Sequence, residues 1–370
     1  MLDYMDIYHT PKYKNKSLMM RILYVLCMIL FVTSCNSKPK NAGVKVVKVA
    51  VVIQDPIVDG KRVHETFITP GYTFKWNDPW QLTKDYEAAL EEISHGVVDY
   101  QVTEIIDSKE YFTFFRKTGE KVNESRMIEL LREPGWKTLK ADEAGFDYKA
   151  FIEYYGFDKK RDAGEINEVW VWAPPMAGMW ESNMSGKDAF WINSEPTEGV
   201  NCKEHLCVMG LNYERDLACA LESYAHRFES TMMKVYGWWD YDKKNTKDQL
   251  TTWELYAAYA KIYNKFVPGM SHVGNVHYPP NGAHDYDWIN KTKVMSFADN
   301  WSNYPNVKDK NPREMDCSEW NCSHIGYMKW WFSHLPHFKG INPKDGKLNN
   351  WWYYVVNYNE AVKEESKLRK

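Results

Sequence analysis

The first ordered pattern along the chain is VKVVKVAVVI, residues 44–53, a β-branched run closed by the turn signals QDP and DGK, and it predicts a buried strand. Asp78-Pro79 then opens a periodic segment that runs through Ile93 and stops at Gly96: a cap, a first-turn proline and a terminal glycine, as a helix requires. Over residues 97–106, Val98, Tyr100 and Val102 alternate with Asp99, Gln101 and Thr103, so a second strand follows with one wetter face. Helices over 123–132 and 147–155 and a strand at 168–172 complete a β-α-β-α-α-β series. That order predicts an α/β (α+β) fold in which helices pack on a mixed sheet.

Beyond Pro175 the pattern loosens into MAGMWESNMSGKDAFWINSEP, a loop rich in Gly, Met and Trp. A long helix is predicted over 213–235, and an amphipathic one over 250–266 packs behind it through Leu255, Tyr259 and Ile262. From Pro268 to Asn350 little regular structure is expected, but the stretch is too aromatic for disorder, giving a long irregular C-terminal half. No internal repeat or linker divides the chain, so residues 44–370 read as a single domain.

The 213–235 helix carries the most suggestive chemistry. At 100° per residue Leu217, Leu221, Tyr224, Phe228, Met232 and Val235 share one stripe, which faces the core. Glu222, His226 and Glu229 fall together on the opposite side. Residues three and four apart can meet above a helix, so two carboxylates and an imidazole could share a divalent cation, zinc or another. The same residues would equally suit the solvated side of an amphipathic helix. A second polar cluster, SHVGNVHYPPNGAHDYDW at 271–288, offers His277 as a further nitrogen ligand and Asp285 to hold its other ring nitrogen. Asn281, Asp285, Trp301, Trp330, Trp331 and His334 add aromatics beside amides and carboxylates, the set a sugar-bearing substrate needs. These side chains could instead satisfy buried backbone groups.

Composition narrows the class. The formal charge of −3 and the lack of a long basic run argue against a nucleic-acid partner, while 17 Trp and 25 Tyr suit either stacking surfaces or an aromatic core. A monomer is expected. The pairs Cys202/Cys207 and Cys317/Cys322, in CKEHLC and CSEWNC, suit local disulfides in an oxidising compartment. Cys219 is left over as a free thiol packed as a small hydrophobe.

Near the N-terminus, MMRILYVLCMILFVTSC from Met19 has a basic residue followed by an apolar run too short to span a bilayer comfortably. Its ending VTSC resembles the lipobox of bacterial lipoproteins. The resemblance implies a mis-assigned start over 1–18, a signal peptide over 19–34, lipidation of Cys35 and a tether over 35–43. The chain would then sit in the cell envelope, anchored to a membrane and facing the periplasm or the exterior. The order of elements, strands leading to a central helix with acidic and His groups, resembles the zincin metallopeptidases, whose helix carries HExxH. Here the pentad is ESYAH, so Glu222 stands for the first His ligand, His226 is the second, and Ser223 occupies the place of the general base. The resemblance implies a zincin-like core and a metal-dependent hydrolase of peptides or glycopeptides, with His226, Glu222 and His277 as ligands and Glu181 or Glu229 as base. A non-catalytic glycan-binding lipoprotein and a metal-independent glycoside hydrolase are the alternatives.

Overall fold

The structure is a computed structural model that describes residues 40–67, 75–132, 143–239, 249–262, 265–266, 271–308 and 310–370. The start, signal, lipidation and most of the tether expected over residues 1–43 lie outside the described residues. Strands β1 (Lys45–Ile53), β2 (Val98–Asp107), β3 (Glu168–Ala173), β4 (Ser182–Ser185) and β5 (Leu206–Asn212) form one sheet in the order β2-β1-β3-β5-β4. Its first four members run parallel and β4 closes the edge antiparallel to β5, so the sheet is mixed, as expected.

Strand alternation divides the core into two layers. Val47, Val49, Val51 and Ile53 of β1, with Trp170 and Trp172 of β3, face α1 (Pro79–Ile93) and α5 (Leu217–Tyr236). Ala50, Val52, Val169 and Val171 face the opposite way, onto α3 (Tyr148–Tyr155) and α4 (Phe157–Asp162), and α2 (Glu124–Arg132) packs at the larger layer. The strand ends predicted at 44–53, 97–106 and 168–172 and the helices at 123–132 and 147–155 match within a residue or two.

Three expectations are corrected. The 250–266 helix is only α6 (Thr252–Tyr256), because the next turn's backbone pairs elsewhere: Ala258 and Tyr256 carbonyls accept from His272, Val273 and Gly274, and Ala260 N–H donates to Pro280. Within 268–350 the chain is more regular than its pattern suggested, with helix α7 (His324–Ser333), and two more helices follow it, α8 (Trp351–Val356) and α9 (Tyr358–Leu368). HIGYMKWWFS in α7 is apolar on nearly every side, so it shows no stripe, and its glycine is required: a side chain at Gly326 would overlap the Trp320 carbonyl. Finally, Cys202 and Cys207 are buried free thiols. Cys207 points to the opposite face of β5 from Leu206 and Val208, while Cys202 packs with those two, so the sheet itself separates the sulfurs. Cys317 and Cys322 do form a disulfide. Peptide mapping under non-reducing conditions should therefore find Cys317 linked to Cys322 and Cys202 and Cys207 alkylated as free thiols.

Candidate metal centre

The helix that bears the site is fixed at its start by Asp216, whose carboxylate accepts from the backbone N–H groups of Ala218 and Cys219. Leu221, Tyr224, Phe228, Met232 and Val235 enter the core, as their stripe predicts. The opposite side is covered too. Glu222, Ser223 and Ser230 are buried and the His226 and Glu229 side chains are only 19% and 13% exposed, so this is no solvated face. Its lid is the 271–288 loop and the start of α7.

That lid is held from below. Tyr327 and Trp331, both fully buried on α7, donate to the carbonyls of Asn275 (2.6 Å) and Gly274 (3.0 Å). The Asn275 side chain accepts from the N–H groups of His277 and Tyr278, and Gly274 has a positive φ where a side chain would strike the Tyr278 carbonyl. The result is a tight turn that aims His277 at α5.

His226 Nε2 and His277 Nε2 lie 3.0 Å apart, and Glu222 Oε1 is 3.1 Å from the second and 3.9 Å from the first. Donors bound tetrahedrally at 2.0–2.1 Å around one ion are separated by roughly 3.3 Å, so this triangle has the size a zinc-like ion demands. The other ring nitrogens face carboxylates: His226 Nδ1 is 3.4 Å from Glu229 Oε2 and His277 Nδ1 is 3.0 Å from Asp285 Oδ1. A carboxylate beside each Nδ1 favours a proton there, the arrangement in which both Nε2 atoms are free to ligate a cation once their own protons leave. Burial works against the His226 imidazolium, but the hydrogen bond and charge of Glu229, with Glu181 and Glu222 nearby, raise it to about 9. Burial likewise favours neutral Glu222, yet the His277 and His324 rings outweigh it and hold the carboxyl at about 2.

The cluster opens beside a cleft of about 1230 Å³, lined in part by Trp180, Glu181, Trp191, Arg215, Ser223 and His324. The cleft lies outside the carboxyl ends of β3 and β5, where ligands of open α/β sheets gather. Glu181 accepts from the Ser223 hydroxyl (3.4 Å) and from the Asn193 amide (3.0 Å).

The expected residues divide accordingly. Glu222, His226, His277 and Asp285 come together. Glu229 turns one oxygen toward His226 Nδ1 (3.4 Å) and accepts from the Val276 N–H with the other (3.0 Å). Trp301 and Trp331 are 1% and 0% exposed, so neither offers a face to a substrate. Asn281 spends its amide on the Asn290 and Thr292 carbonyls, stitching its own loop. His334 ends α7 ten residues from His324, about 15 Å along the helix axis, and its Nδ1 is bound to the Trp330 carbonyl (2.7 Å). Trp330 packs against that same His334 and Trp320. Cys219 is a free thiol as expected, but it lines the cleft instead of the core, and burial with the charge of Asp216 pushes it up to about 11.

Sequence reasoning missed His324, Trp180 and Trp191. The two tryptophans are 48% and 45% exposed at the cleft, whereas most of the other described tryptophans are buried. Comparisons of the chain with protein-family models, with curated proteins and with solved structures gave no match.

Proposed function

We propose that the chain is an exported lipoprotein whose cleft hydrolyses a peptide or glycopeptide with a divalent metal ion, on a zincin-like core. The observation that carries this reading is the convergence of Glu222, His226 and His277, each imidazole backed by a carboxylate. A bound ion would polarise a scissile carbonyl and lower the pKa of its water. Three protein donors leave a coordination position open, as a catalytic site requires. A zincin-like core would place its site helix directly after a sheet strand, and β5 leads through a short turn into α5. The general base absent at Ser223 has a substitute across the cleft, because the Ser223 hydroxyl is bound to the Glu181 carboxylate. Glu181 would take the proton of the attacking water, while Glu229 and Asp285 keep the two imidazoles in the ligating tautomer.

The lipid anchor rests on the VTSC ending at Cys35. Among the described residues no helix is long and apolar enough to cross a membrane. A second reading, glycan binding without turnover, is favoured by Trp180 and Trp191 exposed at the cleft. Incubating the chain with peptide and glycopeptide libraries separates the two. Cleavage that stops with chelator and with Glu181→Gln supports the hydrolase, and retention of glycan without new termini supports the binder.

Metal affinity should depend on pH in one direction. Ligation needs neutral His226, whose imidazolium persists up to about 9 without an ion, so binding near neutrality must expel a proton. Affinity should climb as pH rises toward that value and level off above it. Calorimetry in buffers of different ionisation enthalpy measures the released proton directly, and a pH-independent affinity would contradict the ligand assignment.

A further inference from the structure

Glu222 has two oxygens, and the cluster above uses only Oε1. Oε2 faces the other way, 3.1 Å from His324 Nε2, and the Cys219 sulfur completes a group whose ligand atoms lie within 4.8 Å of one another. Among the described residues the two such groups, Glu222/His226/His277 and Cys219/Glu222/His324, share Glu222 alone. The geometry points to a second cation site made by Cys219, His324 and Glu222 Oε2, so that the Glu222 carboxylate bridges two divalent ions beside the cleft.

This inference rests on the metal-centre reading of the first cluster and extends it. His324 Nε2 is shut off from solvent, and its polar neighbour is the Glu222 carboxylate 3.1 Å away, without a well-aligned hydrogen bond. A cation between that nitrogen and that oxygen would give both a directed bond. The ring is not free to turn away: it stacks on Trp288 at 3.7 Å with planes 5° apart, and Trp288 is itself tied through its carbonyl to the Trp320 indole (2.6 Å). The Cys317–Cys322 disulfide and the Ser323 cap, which accepts from Gly326 N–H, set where α7 begins and hence where His324 stands. Cys219 precedes Glu222 by three residues on α5, so both side chains reach the same spot. A sulfur, a nitrogen and an oxygen donor make a set suited to zinc, and three protein ligands again leave a position open to the cleft. Paired ions in hydrolytic sites sit about 3.5–4 Å apart, a span that one carboxylate bridges with its two oxygens.

The test is metal content by plasma mass spectrometry on the full-length chain equilibrated with zinc, for the wild type and for Cys219→Ser, His324→Ala and His226→Ala. Cobalt(II) titration of the same proteins adds an optical readout. Two ions per chain are expected, falling to one in each variant, with a thiolate-to-cobalt charge-transfer band that Cys219→Ser abolishes. Cys219→Ser changes a single atom and so guards against a misfolded His324→Ala. One ion per chain, kept in Cys219→Ser and His324→Ala and lost in His226→Ala, would overturn the second site and leave the first standing. One ion lost equally in His226→Ala and His324→Ala would mean a single four-ligand centre and would also overturn the bridge. No ion in the wild type would remove both sites together.

Discussion

Zinc binding at the His226–His277 pair should weaken by at least about 100-fold in His226→Ala, beyond the 10–100-fold that losing an outer hydrogen-bond partner brings. Glu229→Gln is the companion variant. It keeps the size of the side chain and its contact with the Val276 N–H, but it removes the charge beside His226 Nδ1. Its effect should fall inside the smaller range. Competition against a chromophoric chelator measures both. Equal affinities for wild type and His226→Ala would mean that the imidazole is not a ligand, whereas equal losses in the two variants would mean that Glu229 acts on the ion itself.

The second large effect concerns stability. Arg227, the neighbour of His226, points from α5 into the sheet, where its guanidinium donates to Glu168 Oε2 (2.8 Å) and to the Val355 carbonyl (2.9 Å). The other Glu168 oxygen accepts from the Trp170 indole (2.8 Å). Side-chain exposures of 1% and 2% leave water no access to either charge. Removing one partner strands the other, so Glu168→Gln should cost about 3–5 kcal/mol of unfolding free energy, while a double change to apolar residues of similar volume should recover much of the loss. Denaturant titration of both proteins tests this. Because Arg227 and His226 are adjacent, the single variant should also loosen metal binding, and a loss below about 1 kcal/mol would show the pair to be a minor anchor.

The first half of the fold was legible because its strands and helices follow simple periods. β1 is apolar and buried without a break from Val49 to Ile53, as a strand covered on both faces must be, and α1 carries its own punctuation in Asp78 and Pro79. β4 and β5 were not recognised: SNMS carries no apolar run, and LCVMGLN contains the second cysteine of the Cys202/Cys207 pair, which drew attention to a disulfide instead. On the site side, the spacing of Glu222, His226 and Glu229 placed them on one face, and the expectation that Asp285 stands beside the second ring nitrogen of His277 agrees with the geometry. The depth of that face was invisible, because its cover comes from residues about 50 and 100 positions further on. His324 lies at the head of a helix with no stripe, and nothing local marks it. Trp301 and Trp331 were misjudged for the opposite reason: tryptophan beside Asn or His reads as a sugar platform, yet their indoles donate to the His272 ring and the Gly274 carbonyl inside the core.

If Glu222, His226 and His277 hold a divalent cation, anomalous diffraction at the zinc edge from crystals grown with zinc will locate it. A peak is expected between the two Nε2 atoms and Glu222 Oε1, about 2.0–2.2 Å from each. Crystals that show zinc elsewhere, with no peak there and the two rings still 3.0 Å apart, would contradict that assignment.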